Sequence, residues 1–363
     1  MRSISAARIP LGLAALALVA TSCSLVGSGD DDEGRDAGGS SGSPQAGGTV
    51  VLVTHESFAL PDEVVAAFEE ESGYQLEVRA SGDAGTLTNK LVLTEGNPTG
   101  DVAFGVDNTF ASRALEAGVF DGLDLDLPAG AETYALDGDD DHALAPVDNA
   151  GVCVNVDDTW FADKGIDPPA TLADLTDPAY EDLFVLPSAA TSSVGLAFLL
   201  TTIDEYGDDW PDYWSDLMDN GARLTNGWSD AYQADFTQGG GKGDRPIVLS
   251  YDSSPAFTVD GKGGTTTSAL LDTCFRQVEY AGVLAGAKNP DGAKALVEFL
   301  LGPQVQAALP ESMYVFPVVD GVELPADWAS FAKQSDEPHE VDPAEVAEQR
   351  DAWLTEWRDV TTG

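Results

Sequence analysis

The stretch Thr49-Val50-Val51-Leu52-Val53-Thr54 sets the fold. It is too short and too β-branched for a helix, and it reads as a buried strand. Directly after it, residues 61–72 place Val64, Val65 and Phe68 on one helical face, and Gly73 supplies the stop. Residues 75–80 alternate, with Leu76, Val78 and Ala80 on one side. A helix over 84–95, a strand over 101–106 and a helix over 109–117 continue the series. Strands alternating with helices predict an α/β domain whose parallel sheet is covered on both faces.

The pattern then repeats. An acidic loop at 137–141 precedes a second apolar run at 144–157, and a crossing between domains is placed near Pro146. Beyond it the reading gives a strand at 183–187 and helices at 192–206, 210–218 and 229–238. A flexible turn at 239–244 leads into a strand at 246–251. A long strand at 274–285 returns the chain to the first half, followed by helices at 290–301 and 303–309. The final helix opens on Asp342-Pro343-Ala344-Glu345, with Asp as N-cap and Pro at the first helical position, and runs to about residue 358. Two α/β lobes are therefore expected: 48–145, then 146–278, with 279–363 returning to the first lobe and carrying the C-terminal helices. Ligands of such sheets bind beyond the carboxyl ends of the strands, and a cleft between lobes is a favoured pocket.

The chain has 363 residues, 63 acidic against 17 basic, and a net charge of −46. That excess argues against nucleic-acid partners, because an acidic surface releases no counterions from phosphates. It also argues against a basic face on an anionic membrane. At the N-terminus, Arg2 and Arg8 precede a short apolar run at 11–20, the pattern of a secretory signal peptide over residues 1–22. It ends Val19-Ala20-Thr21-Ser22-Cys23, small residues before a Cys, which resembles a bacterial lipobox with Cys23 as the acylated residue. An ordinary cleavage site with an incidental Cys is the alternative. Residues 23–47, rich in Gly, Ser and Asp, read as a flexible tether. The expected location is the outer face of the cell membrane, extracellular or periplasmic. In that oxidising setting Cys153 and Cys274 suggest a disulfide, with two buried free thiols as the alternative.

Catalytic sets are missing from the sequence. There are three His (His55, His142, His339) and no Gly-x-Ser-x-Gly elbow, P-loop, Gly-x-Gly-x-x-Gly or His-Glu-x-x-His. Carboxylates are too abundant for any pair to mark a glycosidase. The informative segments lie at predicted strand ends: Thr54-His55-Glu56-Ser57-Phe58, Gly105-Val106-Asp107-Asn108, Thr191-Ser192-Ser193-Val194-Gly195, Asn226-Gly227-Trp228-Ser229-Asp230-Ala231-Tyr232, Leu249-Ser250-Tyr251-Asp252-Ser253-Ser254-Pro255-Ala256-Phe257 and Met313-Tyr314-Val315-Phe316-Pro317.

In this order these runs closely resemble the thiamine-binding subunit of bacterial ABC transporters. The C-terminal Pro343 to Arg350, Trp353 and Glu356-Trp357 also look like that family, so the resemblance covers about residues 48–358. It implies a two-lobed type II periplasmic-binding-protein fold, and a non-enzymatic receptor. Such a receptor would bind thiamine or its phosphate esters between the lobes and pass them to a permease driven by an ATPase. No cofactor and no metal is expected. Departures include His55 and Phe257, each where the family commonly has Tyr, Tyr314 where Trp stands, and Asn149 in place of an aromatic.

The residue chemistry suits that ligand. Thiazolium is permanently positive, so a dry site must supply π faces or carboxylates. Trp228, Tyr251, Phe257 and Tyr314 are candidates for an aromatic box, with Tyr232 beside Trp228. Core packing is the alternative for any one of them taken alone, least so for Trp228, which follows Gly227 at a helix start. Glu56, Asp83, Asp107 and Asp148 are candidate acids, although Asp107 also suits a helix cap near Thr109. Ser192 and Ser193, opening a helix, are candidates for a phosphate or the ligand hydroxyl, with Ser57 as a second donor and His55 as a titratable neighbour. The rival ligands are a polyamine, which would use similar acids and aromatics, and ferric ion, which favours an adjacent tyrosine pair that this chain lacks. A surface hydrolase using two carboxylates is the alternative of a different class.

Overall fold

A computed structural model describes residues 47–362. The predicted signal peptide, Cys23 and nearly all of the tether lie outside the described residues.

The first half builds β1 (Thr49–Thr54), α1 (Asp62–Ser72), β2 (Gln75–Ala80), α2 (Ala84–Leu93), β3 (Val102–Asp107) and α3 (Ala111–Glu116). Gly73 ends α1 as expected: it takes a φ of 75°, which a side chain disfavours, and its N–H donates to the Glu69 carbonyl. β1 lies between β2 and β3, all parallel. Next come β4 (Ala145–Asp157), α4 (Asp158–Lys164), β5 (Phe184–Pro187), α5 (Ser193–Tyr206), α6 (Trp210–Asp219), β6 (Arg223–Thr225), β7 (Ile247–Tyr251), α7 (Ser254–Phe257) and β8 (Thr267–Ala269). The chain closes with β9 (Phe275–Val283), α8 (Pro290–Leu300), α9 (Pro303–Ser312), β10 (Phe316–Pro317), α10 (Ala326–Phe331) and α11 (Pro343–Thr362).

The sheet is not parallel throughout. Its order is β2-β1-β3-β9-β4-β7-β5-β6, with β8 and β10 also pairing with β4. The outer strands on each side are parallel, but β9 and β4 in the centre are antiparallel to each other and to β3 and β7. The reason is connectivity. β4 carries the chain out of the first half and β9 carries it back, so the two crossings run in opposite directions. All thirteen residues of β4 are buried, so no polar alternation marks the crossing. Cys153 and Cys274, the latter one residue before β9, form a disulfide.

Two main cores flank this centre. One packs α1, α8 and α9 on β1 and β3 through Phe68, Leu296 and Leu309; the other packs α5 and α6 on β4, β5 and β7 through Phe198, Trp214 and Leu249. The sequence reading keeps the C-terminal helices with the first lobe. α8 and α9 do stay there, but α11 packs into the second core, where Trp357 meets Trp214 edge-to-face at 5.6 Å. It also spans back toward α3, with Arg113 3.8 Å from Asp351. Residues 229–238, expected as one helix, hold only a π-helical turn at Asp230–Asp235. No helix among the described residues is long and apolar enough to cross a membrane.

Asp252, at the end of β7, is buried with one oxygen accepting the Gly151 N–H and the other unpartnered. Burial pushes its carboxyl up to about 7, against the pull of that N–H and of Arg276. A folded-state pKa above the unfolded one means stability is fullest below the ordinary aspartate range and is lost as pH rises toward 7. Asp252→Asn keeps an acceptor for Gly151 but cannot ionise. The variant is expected to gain about 4 kcal/mol over the parent above neutral pH, and to match it in acid. Melting curves across pH test this, and a parent and variant that fall in parallel would refute it.

Candidate functional site

A cavity of about 700 Å³ opens between the two halves of the sheet, within the roughly 300–1,000 Å³ usual for small-molecule sites. Most of its walls come from segments that follow strands. The turn after β1 supplies His55, Glu56, Ser57 and Phe58, and the α9–β10 turn supplies Tyr314. From the second half come Ser193, Trp228, Tyr232, Tyr251 and Phe257.

The aromatic residues do meet. Trp228 stacks on Tyr232 at 5.0 Å and 12°, and lies 6.2 Å from Tyr251. Its indole N–H donates to the Ser250 hydroxyl at 2.9 Å, which fixes the ring plane. Tyr232 is nearly buried against Phe236 and Val248, so it backs Trp228 more than it faces the cavity. Phe257 is half exposed and meets Tyr314 edge-on at 5.2 Å. Tyr314 adopts a φ of 58°, a left-handed conformation that is strained for a bulky residue. Its carbonyl accepts the Ser253 hydroxyl from across the cleft.

A second link spans the halves at Asp83. This residue caps α2 by accepting the Ala84 N–H, and its other oxygen accepts the Trp228 backbone N–H at 2.9 Å. Burial pushes its carboxyl up, opposed by those bonds. Beside it, Thr86 N–H donates to the Thr191 carbonyl. These bonds join the first half directly to the loops around Trp228 and Ser192.

Three candidates do not line the cavity. Asp107 is fully buried, caps the turn before α3 through the N–H and hydroxyl of Thr109, and accepts from Gln277. Burial pushes it up to about 6 despite these donors. Ser192 is buried beside Asp83, and its hydroxyl does not cap α5. Ser193 is the serine that reaches the cavity, with its hydroxyl accepting from Gln277 at 2.9 Å. Asp148 lies under the floor, and burial and then the neighbouring Glu279 hold it well above the ordinary carboxyl range.

Glu279 is the residue that the sequence reading missed. It sits on β9 at the cavity floor, with Oε1 3.3 Å from His55 Nε2. His55 fits only because Gly105 has no side chain; a Cβ there would stand 2.1 Å from its ring. Burial lowers the basicity of His55 and Glu279 raises it, with the net shift upward. Among the residues lining the cavity, His55 is the only one able to carry positive charge, against Glu56, Asp83, Asp230 and Glu279. Among the described residues, no group of three or more His, Cys, Asp or Glu is arranged to hold a metal ion.

Comparison with known proteins places this architecture. Residues 63–335 match the family model described as bacterial extracellular solute-binding protein. The chain belongs to that family. Within it, the chain is 30% identical over 85% of its length to the "Thiamine-binding periplasmic protein" of Escherichia coli (strain K12), covering 92% of that relative. It is likewise 30% identical over 88% of its length to the protein of the same name from Brucella suis biovar 1 (strain 1330), covering 93% of it. A solved "Periplasmic thiamin binding protein" superposes with a TM-score of 0.75 at 28% identity, covering 86% of this chain and 96% of that one. The ferric binding protein from Campylobacter jejuni shares the fold, with a TM-score of 0.68 at 17% identity and coverage of 86% and 99%. The two-lobed periplasmic-binding-protein fold and the resemblance drawn from the sequence motifs are thereby borne out.

Proposed function

We propose that this chain is the extracytoplasmic receptor of an ABC importer. It binds thiamine in the cleft between a first lobe built from 48–145 and the returning α8 and α9 and a second lobe built from 146–278 with α11, and delivers it unchanged to a membrane permease coupled to an ATPase. Cys23 carries the lipid anchor, residues 23–47 form the tether, and the protein works at the outer face of the cell membrane.

The supporting observation is the pairing of a stacked aromatic wall, Trp228 on Tyr232 with Tyr251 nearby, and an acid-rich rim and floor in one cavity. A fixed, delocalised cation needs both, since it cannot shed a proton to escape desolvation. Each cation–π contact contributes about 0.5–2 kcal/mol, so ring burial, the acids and closure supply the remainder of a tight complex. Phosphate esters would meet four acids and a single imidazole, so the added negative charge would face an acid-rich cavity with serine hydroxyls and the opening turn of α5 as its main donors.

Titration calorimetry of the purified protein tests the reading. Thiamine is expected to bind with one-site saturation, the monophosphate no better, the diphosphate more weakly, and spermidine not at all. Saturable spermidine binding without thiamine binding would replace the reading with a polyamine receptor.

A further inference from the structure

The cleft floor holds an arrangement that ligand contact alone does not explain. Glu279, in the middle of β9, pairs in register with Asp107 of β3 on one side and with Asp148 of β4 on the other. Paired positions on neighbouring strands project from the same face of a sheet. Three carboxyl groups therefore stand in a row across three strands, and all three residues are buried, with Glu279 the most exposed at 9%. Only Glu279 reaches the cavity. Among the described residues, the one salt-bridge partner of the row is His55.

The three acids are not equally satisfied. Asp107 accepts from Thr109 and Gln277. Asp148 Oδ2 has no donor, and strand register sets this residue directly beside Glu279. Two carboxylates are acceptors only, so such a placement is favourable when one of the two holds a proton. Tyr251, Asp83 and His55 line the cavity with Glu279. Tyr251 stays neutral, since burial and the surrounding acids push its hydroxyl up. Asp83 is engaged by the Trp228 and Ala84 N–H groups. His55 is a rival proton carrier, but its Nδ1 accepts the Ser57 N–H at 3.2 Å, which a doubly protonated ring cannot do.

We propose that Asp148, buried beside Glu279, holds a proton while no ligand is bound and that the ligand's fixed cation takes its place, so binding releases about one proton per ligand. This rests on the cleft being the thiamine site. The exchange balances: a protonated pair plus a cation becomes an ionised pair with the cation held above Glu279, plus a free proton. Asp148 thereby acts as a specificity-determining residue that never touches the ligand. A neutral ring displaces no proton, so its binding is expected to be independent of the buffer.

Calorimetry of the purified protein with thiamine, in phosphate and in Tris at the same pH, reads the released proton directly. The two buffers are expected to give enthalpies that differ by about one proton's worth of buffer ionisation, and affinity is expected to rise up to about tenfold per pH unit through the titration of the pair. Asp148→Asn should abolish the buffer dependence, and His55→Gln should retain it. If Asp148→Asn fails to give the parent circular dichroism spectrum, Glu279→Gln serves in its place, and the wild-type comparison needs no variant. Equal enthalpies in both buffers would overturn the proposal, as would a dependence that survives Asp148→Asn and disappears with His55→Gln. Absence of any thiamine binding would instead overturn the receptor reading, and this inference with it.

Discussion

Trp228→Ala should weaken thiamine binding about a hundredfold, the result of losing about 3 kcal/mol. The loss has two parts. One is the cation–π and apolar surface that the indole presents to the cavity. The other is the ordering of that surface, since the ring is held by Tyr232 on one side and by Ser250 through its N–H. The link between lobes survives the change, because Asp83 bonds to the backbone N–H of residue 228 and not to the ring. Weaker binding would therefore report on the aromatic face and not on failed closure. Trp228→Phe keeps a π face and loses only the Ser250 bond, so its defect should be less than about tenfold. Calorimetry on both variants, with melting curves to confirm folding, decides the matter. Wild-type affinity in Trp228→Ala would remove the ring from the site.

Replacing both Cys153 and Cys274 by Ala should cost about 4–5 kcal/mol of stability, since the bridge spans a sequence separation of 121 residues. For a chain of this size that is a fall in Tm on the order of 10 °C. Both sulfurs are fully buried, so a reductant reaches them only after unfolding. Native protein treated with a thiol should thus keep its melting curve, whereas protein reduced while unfolded should refold to the lower one. Scanning calorimetry of the parent and the double variant measures the difference, and a change below about 1 kcal/mol would show that the loop-entropy account fails here.

The sequence made much of this molecule legible. β1, α1 and β2 follow from aliphatic runs, a helical stripe and a terminating glycine, all of them local signals. Trp228, Tyr251, Phe257 and Tyr314 were readable as a group because each lies in a segment adjoining a predicted strand end, where this sheet opens onto its cavity. Glu279 was not. It stands in the middle of the buried strand Phe275–Val283, and its acidic neighbours come from β3 and β4, far away in the chain. Among 63 acids, only the register of three strands singles out this row. The antiparallel centre was hidden for a related reason, since β4 is buried along its whole length and shows no change of pattern where it leaves one lobe for the other. The destination of α11 was equally illegible: Val346, Leu354 and Trp357 announce an apolar face, but nothing local says which core will receive it.

β4 and β9 pair from Ala145 with Ala281 to Val152 with Phe275, and the cysteine bridge ties the pair where it enters the second lobe. A ladder of this kind can flex or coil, but sliding by even one residue would break all its rungs and reverse every side chain. Admission of a solute must then be a swing about this spine, never a slip along it. On the proposed receptor reading, the membrane partner would sense an angle, and the same spine would bring both halves of the cavity back to matching positions each time it shuts.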